Sequence, residues 1–381
     1  MPEKILIIDD DPDTIEFLTL ILQRLGYQVL EARDGMDALA EAHSVKPDLI
    51  ILDVMMPGLD GFDVARSLRR HPETALTPIL MFTARSQVED KLAGYEAGVD
   101  IYLTKPVHPV ELQANIKALL AQRKARTDML AKRGYVIGVI GAKGGLGAST
   151  LALNLAITYH KKLESKVIAA EMKPGQGSWA LDLDIPNPTG LVNLLKRNQT
   201  ELTISAVEEQ LSVTKYNIRL LLASNQSKDV ELGMALAQYE AIVEQLAMLV
   251  PVVFLDIGTN FHPAYDLLAR QCNEIILITE PQPVTVNLTR LLAEELRQRS
   301  FGSGKALTVV AVNRTRAEIT LTMSRIEEAL KVPVALGFPP ATELAYLAAT
   351  RSVPMVLLQP EGIIAQQFSL LAEHISHHVG G

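Results

Sequence analysis

The stretch VIGVIGAKGGLGASTLALNLAITY, residues 136–159, gives the clearest structural signal in this chain. Residues 136–140 form an apolar run of strand length, and residues 150–159 have the length and apolar content of a helix. The glycine-rich segment between them allows the backbone to curl tightly. This succession of strand, glycine loop and helix predicts an α/β unit whose loop lies at the carboxyl end of a strand.

The loop GAKGGLGAST, residues 141–150, follows the phosphate-binding pattern G-x-x-x-x-G-K-[S/T] except at one position. Ala148 stands where the pattern has the lysine that reaches the β- and γ-phosphates. Backbone amides at the helix N-terminus can still point at an anion, and the Ser149 hydroxyl can be a ligand of Mg²⁺. The predicted nucleotide contacts in this loop are Lys143, Gly144, Gly145, Leu146, Gly147, Ala148, Ser149 and Thr150.

Apolar runs of strand length alternate with amphipathic helical stretches along all 381 residues, as in proteins with parallel sheets. The fold class expected is α/β, with two doubly wound parallel-sheet domains at residues 1–122 and 135–381. The polar, basic stretch between them, residues 123–134, is interpreted as a linker or as a helical extension of the preceding helix, itself predicted over 109–123.

The composition, with 48% hydrophobic and 21% charged residues, is that of a soluble globular protein. A net charge of −8 argues against a nucleic-acid partner. The single cysteine, Cys272, excludes an internal disulfide and a cysteine-based metal site. No apolar run reaches the ~18 residues of a membrane span, and the N-terminus lacks a signal-peptide pattern, so we expect a cytoplasmic protein without an integral membrane segment.

Charged and hydroxyl residues follow the predicted strands of the first domain. Asp9 and Asp10 end the first strand, Asp53 the third, Thr83 the fourth and Lys105 the fifth. Because carboxyl ends of parallel strands share one edge of a sheet, we expect these side chains to lie together. Clustered carboxylates suit Mg²⁺, and a hydroxyl and an ammonium beside them can hold phosphoryl oxygens. This pattern predicts formation of an aspartyl phosphate at Asp53.

Residues 1–122 resemble the receiver domain of two-component response regulators through the segments DD, DVMMPGLDG, TA and KP. The resemblance implies that Asp53 accepts phosphate from a sensor kinase, that Thr83 and Lys105 contact the phosphoryl group, and that Tyr102 moves on activation. A receiver fold that is no longer phosphorylated remains an alternative. The resemblance also implies a Mg²⁺ site formed by Asp10, Asp53 and the backbone carbonyl of Met55, with Asp9 assisting.

Residues 134–381 resemble the ParA/MinD ATPases, whose deviant Walker loop AKGGLGAST matches. In that family the early lysine, here Lys143, crosses to the phosphates of the partner subunit in an ATP-bound homodimer. The segment VVFLD resembles the Walker B strand and ends in Asp256, and VNR resembles the adenine-reading segment with Asn313 as the reader. The resemblance implies ATP and Mg²⁺ as cofactors. A nucleotide-free loop kept for its fold remains an alternative.

Two departures from this family pattern predict little or no ATP hydrolysis. Ala148 removes one phosphate contact, and Lys173 in EMKPGQG stands where the family has the aspartate that orients the attacking water. A charged lysine cannot accept a proton from water. Binding is less affected than turnover, because losing one charged contact weakens affinity by about ten- to hundredfold. Lys173 is either a solvated side chain or an ammonium turned toward the phosphates.

A receiver joined to such a domain is similar to the TadZ/CpaE proteins of Flp (Tad) pilus assembly, which often lack the P-loop lysine. The resemblance implies a localisation or scaffold protein recruited to a cell pole, with pilus or secretion machinery proteins as partners. The main alternative is an active ATPase that partitions DNA or positions a division site. A transcription factor ranks last, because no helix-turn-helix pattern occurs beyond the two domains.

Overall fold

The chain folds into two α/β units, and the predicted fold class is confirmed. Contacts between Cα atoms divide it into residues 1–132 and residues 133–381. The side chains of 125–132, 299 and 300 are outside the description that follows. The computed structural model describes residues 2–71, 73–85, 87–259, 262–300, 305–314 and 321–379.

The first unit is one parallel sheet of five strands in the order β2-β1-β3-β4-β5. The apolar runs of β1 and β3 are buried along their length, as expected for parallel strands covered on both faces. Its elements are β1 (Lys4–Ile8), α1 (Pro12–Arg24), β2 (Gln28–Ala32), α2 (Gly35–Val45), β3 (Leu49–Leu52), α3 (Gly61–Arg70), β4 (Ile79–Thr83), α4 (Val88–Glu96), β5 (Ile101–Thr104) and α5 (Pro109–Lys132).

The helix α5 extends past the predicted end at Arg123 and reaches Lys132. Most of the stretch interpreted as a linker is therefore helical backbone, whereas the side chains of 125–132 lie outside the described residues. Among the described residues, no helix has both the length and the apolar character needed to cross a membrane.

The second unit is a sheet of eight strands with helices on both faces. Its elements are β6 (Tyr135–Gly141), α6 (Ala148–Leu163), β7 (Val167–Glu171), α7 (Trp179–Asp182), α8 (Gly190–Leu195), α9 (Ile204–Glu208), β8 (Ser212–Val213), β9 (Arg219–Leu221), α10 (Leu236–Leu249), β10 (Val252–Thr259), α11 (Tyr265–Gln271), β11 (Glu274–Thr279), α12 (Pro283–Glu295), β12 (Ala306–Val312), α13 (Met323–Leu330), β13 (Val334–Phe338), α14 (Thr342–Arg351), α15 (Met355–Leu358) and α16 (Ile363–Val379). Short 3₁₀ turns occupy Gln199–Glu201 and Ser227–Met234, and a π-helical turn occupies Leu296–Ser300.

The strand order of this sheet is β13-β12-β11-β6-β10-β7-β9-β8, and only β8 runs antiparallel to its neighbour. The inner strand β6 has side chains in two separate cores. Val136 and Ile140 pack on one face of the sheet, and Ile137 and Val139 pack on the other. This burial on both faces explains the continuous apolar run in the sequence. Because β6 lies between β10 and β11, the glycine loop that follows it lies at the carboxyl edge of the sheet beside these two strands.

A matched pair of glycine substitutions tests how closely the segment after β7 packs. A Cβ at Gly177 would overlap the backbone carbonyl of Ala223, whereas a Cβ at Gly144 would meet open space. We expect Gly177→Ala to lower the free energy of unfolding by roughly 1–3 kcal/mol. Gly144→Ala should leave it unchanged or raise it by about 0.4–1 kcal/mol. Urea unfolding followed by the fluorescence of the single tryptophan, Trp179, measures both. Equal effects would contradict the packing described here.

Candidate functional site

Three carboxylates meet at the carboxyl edge of the first sheet. The strands β1 and β3 are parallel neighbours with Ile8 opposite Leu52, so the residues that follow them lie side by side. Carboxylate oxygens of Asp9, Asp10 and Asp53 all lie within 4.8 Å of one another. Asp9 and Asp53 are buried and Asp10 is exposed, so the cluster opens to solvent on one side.

The Lys105 side chain lies against the two buried carboxylates. Its Nζ is 2.6 Å from Oδ2 of Asp9 and 3.3 Å from Oδ1 of Asp53. Burial raises the pKa of Asp9, and the hydrogen bond from Lys105 offsets part of that rise. Three carboxylates and one ammonium leave a net negative charge. Because the donors are oxygens and the charge is negative, the arrangement fits Mg²⁺.

Thr83 and Tyr102 complete this edge. Thr83 is fully buried at the end of β4, the strand beside β3, and its Oγ1 accepts a hydrogen bond from the Arg85 amide at 3.4 Å. The Tyr102 hydroxyl donates to the Arg85 carbonyl at 3.2 Å. The Met55 amide donates to Oδ2 of Asp53 at 2.6 Å, whereas a metal-ligand role for the Met55 carbonyl stays a prediction.

The glycine loop of the second unit curls at the start of α6, where Ala148 carries no charge. Gly145 and Gly147 have φ values of 80° and 91°, in the left-handed region that favours glycine. The 16-residue helix α6 begins at Ala148, so its first amides face the loop. Residues 143–150 line a cavity of about 650 Å³.

Lys173 supplies an ammonium to this cavity from the segment after β7, which is separated from β6 by β10. It follows β7, which pairs with β10 so that Glu171 lies opposite Asp256. Its Nζ lies 2.7 Å from Oδ2 of Asp256 and donates a hydrogen bond to Oγ of Ser149. Only 11% of the Lys173 side chain is exposed, so the solvated alternative is wrong.

The contacts of Asp256 bear on the predicted metal role of Ser149. Asp256 is fully buried, and its Oδ1 accepts a hydrogen bond from the Gly258 amide at 3.1 Å. The Lys173 ammonium contacts both Oδ2 of Asp256 and Oγ of Ser149, so it fills the space between the two oxygens that would hold Mg²⁺. One carboxylate and one ammonium carry no net charge. The arrangement therefore does not fit Mg²⁺ at Ser149.

Glu171 has a structural role that the sequence did not indicate. Its carboxylate accepts hydrogen bonds from the amides of Ser178 at 2.7 Å, Trp179 at 3.1 Å and Ala223 at 3.1 Å. Burial raises its pKa to about 7, although the bonds from Ser178 and Trp179 partly oppose the rise. Trp179 in turn donates from Nε1 to the Ser149 carbonyl at 3.0 Å. Glu171 thus ties the segment after β7 to the loop.

Lys143 contacts a carboxylate of its own chain. Its Nζ lies 3.4 Å from Oε2 of Glu280, the residue after β11. Arg314 lies 3.5 Å from Oε1 of the same carboxylate and donates to the Gly145 carbonyl. Sequence reasoning missed Glu280 and Arg314, although both directly follow recognised strand or motif residues. Whether Lys143 reaches a partner subunit stays a prediction.

Asn313 lies beside a second, smaller cavity. It follows β12, and its backbone N–H donates a hydrogen bond to the Phe338 carbonyl at 2.9 Å. Leu146, Phe338 and Pro339 are among the residues that line this cavity of about 300 Å³ together with Asn313. Apolar walls with a few polar groups are typical of small-molecule pockets, and a planar base would suit this one. The predicted adenine contact at Asn313 is thus adjacent to the loop.

Comparison with known proteins identifies relatives of the first unit. The sequence pattern of the response regulator receiver domain family matches residues 5–117. Protein PilH of Pseudomonas aeruginosa is 42% identical over 118 residues, which cover 31% of this chain and 98% of PilH. Other curated relatives are longer regulators, and the chain spans about half of their length (55% and 49% in two of them).

Solved structures match the fold of the second unit. A ParA family ATPase from Chlorobium tepidum superposes with a TM-score of 0.57 at 14% identity, covering 64% of this chain and 99% of that protein. The septum site-determining protein MinD of Pyrococcus horikoshii, solved as a complex with Mg-ADP, has a TM-score of 0.53 at 19% identity. The match covers 64% of this chain and 96% of that protein. These similarities establish a ParA/MinD-like P-loop fold.

His262 lines the same cavity as the glycine loop and makes the stability of the second unit depend on pH. Burial lowers the pKa of its imidazole to about 4, and its Nδ1 accepts a hydrogen bond from the Ala264 amide at 3.0 Å. The ordinary pKa is 6.5, so the neutral ring stabilises the fold fully above that pH. This contribution, on the order of 3 kcal/mol, is lost as the pH falls through 6.5 toward 4.

We expect His262→Asn to be less sensitive to acid than the wild-type protein, because the amide oxygen of asparagine can accept the same hydrogen bond without titrating. Urea midpoints measured from pH 7 to pH 4 by Trp179 fluorescence test this. Protonation of Glu171, whose pKa is raised by burial, stabilises the fold of both proteins over part of the same pH range. The difference between the two curves therefore isolates the effect of His262. Parallel curves would show that His262 does not titrate in this way.

Proposed function

The chain belongs, through residues 5–117, to the response regulator receiver domain family, and from this premise we propose that it is a receiver-regulated, nucleotide-binding scaffold. In this proposal the first unit accepts a phosphoryl group at Asp53. The second unit binds ATP, dimerises around it and hydrolyses it little or not at all. The output is recruitment of a partner protein, so the chain works as a switch and not as a turnover enzyme.

The observation that carries the proposal is the position of the Lys173 ammonium between Ser149 and Asp256. A backbone cradle and an ammonium beside it favour the binding of phosphates. Hydrolysis additionally needs a group that orients water, and a charged lysine cannot accept a proton from it. Because Ala148 also removes a transition-state contact, the loop is suited to static binding.

The chemistry proposed for the first unit uses its own side chains. A carboxylate oxygen of Asp53 attacks the phosphorus of a phosphohistidine or a small phosphoryl donor, the new O–P bond forms, and the bond to the donor breaks. Lys105, 3.3 Å from Asp53, and the buried Thr83 hydroxyl are placed to bind the oxygens of the transferred group. Mg²⁺ held by Asp9, Asp10 and Asp53 would neutralise negative charge in this step.

The biological role proposed is that of a TadZ/CpaE-like localisation factor in Flp (Tad) pilus assembly. A receiver family domain joined to a ParA/MinD-like fold, with alanine in place of the loop lysine, supports it. The partners would be a second copy of the chain, a sensor kinase, and pilus or secretion proteins at a pole or inner membrane face. Active DNA partition or division-site placement is disfavoured, because both require efficient ATP turnover.

Phosphorylation of the first unit can be measured directly. We expect acetyl phosphate with Mg²⁺ to add one phosphoryl group to the full chain, detected as a mass increase by intact mass spectrometry. Asp53→Asn should abolish the increase, because an amide oxygen is a poor nucleophile. Asp34→Asn is the matched control, since Asp34 caps helix α2 and asparagine caps equally well. Undiminished labelling of Asp53→Asn would place the acceptor elsewhere.

Dimerisation around ATP is tested by light scattering on the full chain in Mg²⁺ alone, with ADP and with ATP. The chain mass is 41.7 kDa. We expect the monomer mass without nucleotide, twice that mass with ATP, and no phosphate release above background. Lys143→Ala should prevent the shift, because the proposal assigns Lys143 to the phosphates of the partner.

Lys161→Ala is the control for charge, since Lys161 is an exposed lysine of helix α6 in the same unit. A dimer mass under all three conditions would rule out ATP as the switch. Regulation would then have to come from the receiver, and the loop would hold a structural nucleotide or none.

A further inference from the structure

We infer that Lys173 is a built-in cation of the glycine loop that replaces Mg²⁺, so that this unit binds nucleotide phosphates without a divalent metal ion. The inference rests on the proposed function in that it assumes a nucleotide binds at the loop. It goes further, because it specifies the ionic form of the ligand. A metal-free nucleotide, with its full negative charge, would be the species recognised.

The first argument is geometric. The loop hydroxyl of Ser149 and the strand-end carboxylate of Asp256 are the two protein oxygens that would hold the metal ion. Both are already in contact with the Lys173 ammonium. Mg²⁺ requires oxygen ligands at about 2.0–2.1 Å in octahedral geometry, so it could enter only by displacing the lysine.

The second argument is the balance of charge. Asp256 is fully buried, and Lys173 is its counter-charge: Oδ2 of Asp256 has no hydrogen-bond partner within the described part of the chain. Glu171 is directed at the backbone instead, because amides of Ser178 and Ala223 donate hydrogen bonds to its two oxygens. At the oxygens of Ser149 and Asp256, a divalent cation would meet a carboxylate that the Lys173 ammonium already neutralises. Another carboxylate, that of Asp182 at the end of α7, lines this cavity. The cluster of the first unit differs, because there three carboxylates face one lysine.

The third argument concerns the donors of Lys173. An ammonium group has three N–H donors, and the hydrogen bond to Ser149 engages one of them. Lys173 and the loop amides line the same cavity of about 650 Å³. A phosphate oxygen in that cavity can therefore accept a hydrogen bond from another N–H of Lys173 while the amides bind the other oxygens.

The test compares nucleotide affinity in excess MgCl₂ and in excess EDTA, using the full chain with ATP and with ADP. Isothermal titration calorimetry measures the affinity. Trp179 fluorescence is a second readout, because its indole donates to the Ser149 carbonyl. For the wild-type protein we expect the dissociation constant to differ by less than about threefold between the two conditions. Lys173→Met should weaken binding in EDTA by about tenfold or more, and Mg²⁺ should restore part of the loss.

Lys161→Met removes an exposed lysine of the same unit and should bind as the wild-type protein does. Wild-type binding that is lost in EDTA would overturn the inference while leaving the proposed nucleotide binding intact. Unchanged affinity of Lys173→Met in EDTA would also overturn it. If the wild-type protein binds neither nucleotide in either condition, the proposed function fails and the inference fails with it. The wild-type comparison needs no variant, so poor folding of Lys173→Met would not prevent a decision.

Discussion

The constraint on which both units depend is the convergence of parallel strands at one edge of a sheet. Residues at the carboxyl ends of the strands of one sheet share an edge whatever their charge, and a long side chain can reach across that edge. In the first unit this brings Asp9 and Asp53 to Lys105, and in the second it brings Asp256 to Lys173. The net charge that remains among the residues of an edge then determines which ions that edge can bind.

The two edges differ in that balance, because in the second unit Lys173 pairs with a single buried carboxylate, that of Asp256. The first residue of α6 is Ala148, and an ammonium that contacts Ser149 comes from Lys173, which follows β7. Once Lys173 faces the buried Asp256, neither can be replaced alone without leaving an unpaired charge, at a cost of about 3–5 kcal/mol. A substitution of either partner would therefore change both the charge available to a ligand and the stability of this edge of the sheet.

Local patterns were enough to predict the two parallel-sheet units and the polar residues at the ends of their strands. Apolar runs that lead to Asp9, Asp53 or Asp256 indicate strands and their polar ends. The order of the strands in each sheet then determines which of these polar residues lie close together. The direction of Lys173 could not be predicted, because it depends on the turn at Gly175, with φ of 78°, and on a partner 83 residues away at position 256. The helical continuation to Lys132 was left open for a related reason: polar sequence without periodicity fits helix and linker equally well.

The remaining lysine of the loop behaves differently from Lys173, and exposure is the reason. The Lys143 side chain is 39% exposed and lies 3.4 Å from Glu280. Glu280 is buried, but Arg314 lies 3.5 Å from the same carboxylate and can stay there when Lys143 leaves. A charged hydrogen bond to phosphate contributes about 1.5–3 kcal/mol, more than the roughly 0–1 kcal/mol of a partly exposed ion pair. Lys143 can therefore leave Glu280 for a phosphate with a net gain, but Lys173 cannot leave Asp256 without a large loss. Lys173 is therefore suited to stabilise the site within one chain, and Lys143 is suited to change its contact when a phosphate binds.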